Sequence, residues 1–496
     1  MLARRIGRDA ALLASAWLLV GRAAFAQTPP APPPPPAEPP APVAPPAPPA
    51  SPPAAEPAPP SEPSAPSPTR SEPLLQPSAA TANSGESPKP YGDEVLPNAE
   101  DNDDEAWYDA FDVRMFGDAY AGVNYNFPKP QAGSNGVSRY FDPNNGFALS
   151  WVGLDLSRVA DPIGGTLSLR FGPSAHIYGS DCPSGHCDAS NSLENVKQAF
   201  ASWKPAGALT LDFGKFDSIF GSEVADSQDN LNYTRGVLYA LGQPHFHTGL
   251  RASLDIGEYL TLRALAVNGW NISVDNNAGK TFGLQATARV PGSDGRDLLA
   301  ASLGYLIGPE SDDVLNVQCP TGEQFDPTQA NGCAPRTVLN APDAGTIGRS
   351  SSNTRGLRQL VDLVVTSDPV ESLHLVLNGD FGTERVRNLD NPLDFDAKQW
   401  WGGMIAARYG FSDAFGIAGR GEYFHDDDGL MTKVPPGNTV DIVTGTLTLD
   451  YRPGKNLILR LDNRLDWSNH TIFQKGIRGL SGTLPSSTLG VVVTTN

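Results

Sequence analysis

The chain has 496 residues, 39% of them hydrophobic, and a formal net charge of −19 at pH 7. That acidity argues against binding nucleic acid, whose phosphates need a basic surface. No long uncharged apolar stretch follows the first 26 residues, so membrane-crossing helices are excluded and the mature chain either stays in water or crosses a bilayer as a barrel.

Arg4, Arg5 and Arg8 precede an apolar run from Ala10 to Val20, and Ala24-Phe25-Ala26 stands before Gln27. This is the layout of a secretory signal with an A-x-A cleavage site, which predicts export and a signal segment over 1–26. Residues 27–106 are dominated by Pro, Ala, Ser and Glu and hold more than half of the chain's 47 prolines. So little apolar side chain does not repay ordering entropy, and the expectation is a disordered, polyproline-like periplasmic tether with peptidoglycan as a candidate contact. An acidic patch from Glu100 to Glu105 closes this region.

The third region, 107–496, is read as an outer-membrane β-barrel. From Phe111 onward apolar and polar residues alternate with period 2, the mark of strands. The clearest case is Asp441 to Ser468, where Val443, Leu447, Leu449 and Tyr451, then Leu457, Leu459, Leu461, Leu465 and Trp467, alternate with Thr and charged residues around a Pro453-Gly454 turn. Each arm is about ten residues, enough for a tilted strand to cross a bilayer. Asn463 on the oily face and Ile458 on the polar one interrupt the pattern.

Short connections are expected at 161–164, 205–207, 257–259, 292–296, 368–370, 412–414 and 453–456. Longer Asn/Asp/Gly-rich stretches lie at 127–145, 179–193, 217–246, 270–279, 308–355, 383–398, 426–437 and 469–485. Short and long alternate strictly, as a membrane barrel with periplasmic turns and external loops requires. A soluble sandwich has no reason to sort its loops this way. The arms number about sixteen, an even count that returns both ends to the periplasm, with 236–241 open as an extra strand. The fold class is therefore all-β, a transmembrane antiparallel barrel. Trp203, Tyr409, Phe411 and Tyr451 beside short turns, and Trp270, Trp400, Trp401 and Trp467 beside long loops, are expected to form the aromatic belts.

The stretch from Phe213 to Ala252 contains Gly214-Lys215 after a strand, a Gly-x-Glu at Gly221 and Glu223, an Asp-Asn-x-Asn-Tyr-Thr-Arg run from Asp229 to Arg235, and His-Thr-Gly-x-Arg from His247 to Arg251. Asn268-Gly269-Trp270, Asp275-Asn276-Asn277 and Lys280-Thr281 follow. In these motifs the chain resembles the OmpL-like family of β-barrel porins of bacterial outer membranes. The resemblance implies a passive-diffusion porin, a multi-pass barrel surrounded by outer-membrane lipid, passing small hydrophilic solutes or ions without a cofactor. Two features depart from what such barrels show: the chain ends Val493-Thr494-Thr495-Asn496 rather than in an aromatic residue, and the Pro-rich tether has no counterpart in the family pattern.

The 217–246 connection is too polar for a strand pair and too rich in motifs to be slack. It is expected to fold partly into the lumen as a constriction and to present Asp217, Glu223, Asp226, Asp229 and Arg235 to permeants, because charged rings at a constriction set ion preference. The competing expectation is that Asp229, Asn230, Asn232 and Arg235 only tie the loop to the inner wall. Arg170, Arg263, Asp380, Glu422, Arg460, Asp462 and Arg464 fall on polar strand faces and are expected to line a wet pore.

Cysteines occur as two close pairs, Cys182 with Cys187 and Cys319 with Cys333, expected in an exported chain to be two local disulfides. One histidine and two thiols around His186 make an incomplete metal set, and His425 followed by Asp426-Asp427-Asp428 reads as a solvated charge run, so no metal site is expected. Of seven histidines none stands near a G-x-S-x-G nucleophile context, so no enzyme is expected. A plugged barrel acting as a structural anchor with a wall-contacting arm is the alternative to a channel, and a secreted soluble β-protein is the third reading. The sequence leaves a homotrimer open.

Overall fold

The structure, a computed structural model, describes residues 110–495 apart from 129–140, 142–144, 181–186, 276, 293–295, most of 311–355, 388–394 and 435–437. The expected signal segment, tether, Cys182, His186 and Cys319 lie outside the described residues.

Sixteen long strands form one closed antiparallel barrel. They are β1 (Asp112–Asn124), β2 (Gly146–Arg158), β3 (Ile163–Phe171), β4 (Val196–Ala206), β5 (Leu209–Asp217), β6 (Phe246–Ile256), β7 (Leu260–Val267), β8 (Thr281–Pro291), β9 (Asp297–Pro309), β10 (Leu357–Val370), β11 (Leu373–Arg387), β12 (Phe395–Gly410), β13 (Phe415–Asp426), β14 (Val440–Gly454), β15 (Leu457–Ser468) and β16 (Thr483–Thr494). Each pairs with its neighbours in sequence, and β1 closes the ring against β16 from Phe116↔Thr494 to Asn124↔Ser486. Among the described residues no helix is long and apolar enough to cross a membrane. Residues 236–241 add no strand: Leu238–Gly242 make a single helical turn.

All seven short connections join neighbouring strands, with one systematic shift. Pro205, Pro369 and Pro453 sit inside strand ends, at register breaks between Trp203 and Ala206, Ser367 and Val370, and Tyr451 and Gly454. Proline has no N–H for the ladder and is tolerated at such bulges, so β4, β10 and β14 run past it before turning.

The two faces separate as the alternation requires. On β13 the residues from Gly416 to Asp426 that point inward are all buried, while Phe415 is 54% exposed on the outside. Trp203, Tyr409, Phe411, Tyr451, Trp401 and Trp467 are exposed on the outer face, at the strand ends where aromatic belts sit. Trp270 and Trp400 are not belt residues. Both are buried inside the barrel, edge to face at 6.0 Å, with the Arg358 guanidinium 4.8 Å from the Trp270 ring. Trp400 falls on an inward position of β12, and its Nε1–H donates to the Gly242 carbonyl at 3.0 Å. The lumen wall is thus partly apolar, because a loop covers it.

Leu447 lies halfway along β14 on the outer face, and Tyr451 on the same face near the short turn. Leu447→Arg is expected to destabilise the barrel by about 2–4 kcal/mol, and Tyr451→Arg by about 0–1 kcal/mol, the depth dependence of a charge facing lipid. Equilibrium unfolding in lipid vesicles measures both; equal costs would mean that this face does not meet hydrocarbon.

Candidate functional site

The connection 218–245, between β5 and β6, turns into the barrel and is bonded to its wall almost all the way round. Ser222 donates from N and Oγ to Asn378 Oδ1 on β11 at 3.0 and 3.2 Å. Glu223 accepts from Arg420 on β13 at 2.5 Å. Asp226 takes a two-pronged contact from Arg170 on β3, both bonds 2.9 Å, and lies 3.0 Å from Lys197 Nζ on β4. Asp229 pairs with Arg114 on β1 at 3.2 Å. Asn232 donates to Thr448 on β14 at 2.6 Å, and the Thr234 amide to Asp462 on β15 at 2.8 Å. In a ring of sixteen, β3 and β11 are opposite, so the loop spans the full width of the lumen.

Two wall glycines take aromatic side chains of this loop. A Cβ on Gly304 of β9 would lie 2.6 Å from the Phe220 ring, and one on Gly490 of β16 would lie 2.0 Å from the Tyr233 ring. Tyr233 also donates its hydroxyl to Asp118 at 2.7 Å. Around these seats the loop and wall share an apolar core, including Phe216, Phe220, Leu238, Leu360, Trp400 and Phe424. The gap lined by Asp217, Ser218, Glu223 and Tyr239 has a volume of about 10 Å³, room for one water at most.

Where the predicted site residues stand is therefore definite. Glu223, Asp226 and Asp229 reach opposite parts of the wall and end in ion pairs there. Asp217 closes β5 and meets Lys197 at 2.5 Å and the Tyr178 hydroxyl at 3.3 Å. Arg235 is buried and donates to the backbone carbonyls of Ala225 and Tyr233. All seven expected lining residues point inward and are buried, but six of them meet the loop. Arg170 and Asp462 do so as described, Glu422 accepts from the Leu238 amide, Arg460 donates to the Ser227 carbonyl, and Arg464 to the Arg235 carbonyl. Asp380 lies against Gly242, where a Cβ would stand 3.2 Å from its Oδ2. Arg263 meets the loop through another side chain: its partner Gln285 donates from Nε2 to the Ile219 carbonyl at 2.5 Å. The wall partners Arg114, Lys197, Asn378 and Arg420 fall on inward positions of the alternation, but nothing local in the sequence names their partners.

Cys187 is disulfide-bonded, and no described cysteine is free; the side chain of Cys333 is outside the described residues. His425 lies on the outer face, 2.7 Å from Asp441 and 3.3 Å from Asp427. Among the described residues no group of three or more His, Cys, Asp and Glu could hold a metal.

The model of the family described as "Putative beta-barrel porin-2, OmpL-like" matches residues 113–494. The chain belongs to this family of porins. No curated protein matches it. Solved structures similar to this porin-family chain include the outer membrane channel DcaP of Acinetobacter baumannii, at 10% identity and TM-score 0.47 over 77% of this chain and 96% of that one. Pseudomonas putida OprB matches at 13% identity and TM-score 0.45 over 78% and 94%. Vibrio cholerae OmpT matches at 11% and 0.44 over 78% and 98%. The family match, which spans all sixteen strands, carries the assignment.

In this porin-family barrel the loop carboxylates differ in their electrostatics. Burial alone would push Asp226 up, but Arg170 and Lys197 outweigh it and hold the group far below the usual carboxylate range. Asp229 is pushed above that range by burial, with Arg114 opposing and Asp226 adding to the rise. A depressed carboxyl contributes stability that is present above its unfolded value and lost only as pH falls through its folded value. Asp226→Asn is therefore expected to cost about 3–5 kcal/mol at neutral pH, the penalty for leaving buried partner charges unmatched, and the wild-type tether should survive mild acid. Asp229→Asn, which removes a carboxylate that burial disfavours, should cost far less. The midpoint of heat-modifiable gel mobility against pH distinguishes them, and equal losses would refute the difference.

Proposed function

We propose that this chain forms a water-filled outer-membrane channel through which small hydrophilic solutes or ions diffuse passively, with the 218–245 loop as its constriction. The observation that carries this reading is a loop of a porin-family barrel held by side-chain bonds to opposite walls, which narrows the lumen without depending on the outer loops. Asp226, Asp229 and Glu223 serve in this account as tethers, their charge matched by Arg170, Lys197, Arg114 and Arg420. No covalent chemistry and no cofactor enter the transport step.

The same proposal includes a cleaved signal over 1–26 and a periplasmic tether over 27–106 that reaches peptidoglycan. It further includes local disulfides joining Cys182 to Cys187 and Cys319 to Cys333, and assembly as a homotrimer. One observation favours a second reading, the plugged anchor: at the level of the loop the inward side chains of Arg170, Arg420 and Arg464 are at most 2% exposed.

Purified protein in planar bilayers separates the two readings. Stepwise conductance is expected, and a silent membrane would favour the plug. Replacing 226–235 with a Gly-Ser linker should raise unit conductance several-fold, since it removes the crossing segment; an unchanged step size would show that the constriction lies elsewhere.

A further inference from the structure

Below the loop, toward the short-turn rim, the lumen wall changes character. Arg251 on β6, Arg263 on β7 and Arg289 on β8 lie on adjacent strands, and Arg408, Arg452 and Arg460 lie on β12, β14 and β15. Arg251 lies midway along its strand and the other five toward the short-turn ends, with Arg460 also donating to the loop's Ser227 carbonyl. In a ring of sixteen, β7 and β15 are opposite, so the two groups face each other across the lumen. Side-chain exposure is 14% at Arg251, 12% at Arg289, 25% at Arg408 and 34% at Arg452, while Arg263 and Arg460 are buried.

The carboxylates of this zone do not match the guanidiniums. Asp212 takes Arg251 at 2.8 Å and Asp297 takes Arg289 at 3.5 Å. Asp450 serves three cations, Arg408 at 2.9 Å, Arg452 at 3.2 Å and Arg460 at 3.4 Å. Asp255 accepts from Thr261 at 2.8 Å, and Asp368 is bonded to His374 at 2.6 Å. Arg263 makes no ion pair with any described residue. Its Nη1 donates to Gln285 Oε1 at 2.9 Å and to Thr287 Oγ1 at 3.4 Å, both neutral. The charges of Arg251 and Arg289 act on it more strongly than those of Asp255 and Asp212. A guanidinium among like charges, bonded only to neutral oxygens, favours the entry of an anion.

We propose that this arginine-lined vestibule makes the channel anion-selective, favouring small carboxylates, phosphate and chloride, against the sign of the whole chain's charge. The inference rests on the channel reading above and adds the class of permeant. Arg263, which makes no ion pair with any described residue, is the residue that most strengthens the preference, with Arg452 contributing from the opposite wall.

The test is the reversal potential of purified protein in planar bilayers under a KCl gradient. Wild type should pass chloride in preference to potassium. Arg263→Gln should lower the chloride-to-potassium permeability ratio by about threefold, the effect of one charge in a partly desolvated pore, and Arg263→Lys should retain most of it. Arg452→Gln, at a more exposed position, should shift the ratio in the same direction and covers the case in which Arg263→Gln does not fold, as judged by heat-modifiable mobility. A reversal potential of potassium sign, or one that neither substitution moves, overturns the anion preference while leaving a channel. The absence of any conductance step overturns the channel reading and this inference with it.

Discussion

The ladder between β1 and β16 is the constraint on which the rest of the structure depends. Inside a bilayer no water is available to a free backbone N–H or C=O, and each one left unpaired costs several kcal/mol. A sheet therefore persists at that depth only if its first and last strands bond, as Phe116 to Asn124 do with Ser486 to Thr494. Closure fixes an even strand count, hence the sorting of turns to one rim and loops to the other, hence the strict alternation of side chains between lipid and lumen. The bulges at Pro205, Pro369 and Pro453 obey the same accounting, since a residue without an N–H is placed where the ladder is already interrupted.

A closed ring of this size leaves an interior that sixteen strands cannot fill with their own side chains. The 218–245 loop fills part of it, and it is fixed by two kinds of interaction with opposite cost profiles. Phe220 over Gly304 and Tyr233 over Gly490 bury aromatic area in seats that admit no Cβ, a favourable term that needs no partner charge. The pairs of Asp226 with Arg170 and Glu223 with Arg420 are nearly free of water, where the Coulombic gain barely offsets desolvation. Their contribution is direction: a displaced loop would leave charges unpaired on both walls, so the ions fix one position while the aromatic side chains supply most of the net stabilisation.

Much of this architecture is legible from residues alone, because period-2 alternation and loop sorting are local properties. Val443, Leu447, Leu449 and Leu465 already mark which face of β14 and β15 meets lipid. What is not local is not legible. Trp400 stands beside a long loop in sequence as a belt residue would, but it falls on the inward parity of its strand, next to outward Trp401, and the loop covers it there. Arg170 and Arg464 read as pore lining because their nearer partners, Asp155 and Asp466, do not reveal the loop contacts each also makes, with Asp226 in one case and the Arg235 carbonyl in the other. The motif-rich run from Asp229 to Arg235 did signal a fixed loop, and its asparagines and arginine are spent on backbone and wall bonds.

Net charge is equally non-local in origin, yet selectivity is local in effect. The chain's −19 includes carboxylates on the acidic patch and the outer loops, and salt screens exposed charges beyond about 8 Å at physiological ionic strength. A permeant at the short-turn side of the loop responds instead to groups within that radius, inside a wall of lower dielectric where their influence is larger. There Asp450 is shared by three guanidiniums and Arg263 has none to share. A barrel can be acidic as a molecule and basic along part of its lumen, because the charges counted over the whole chain and those within a screening length of one point inside it occupy different places in the same fold.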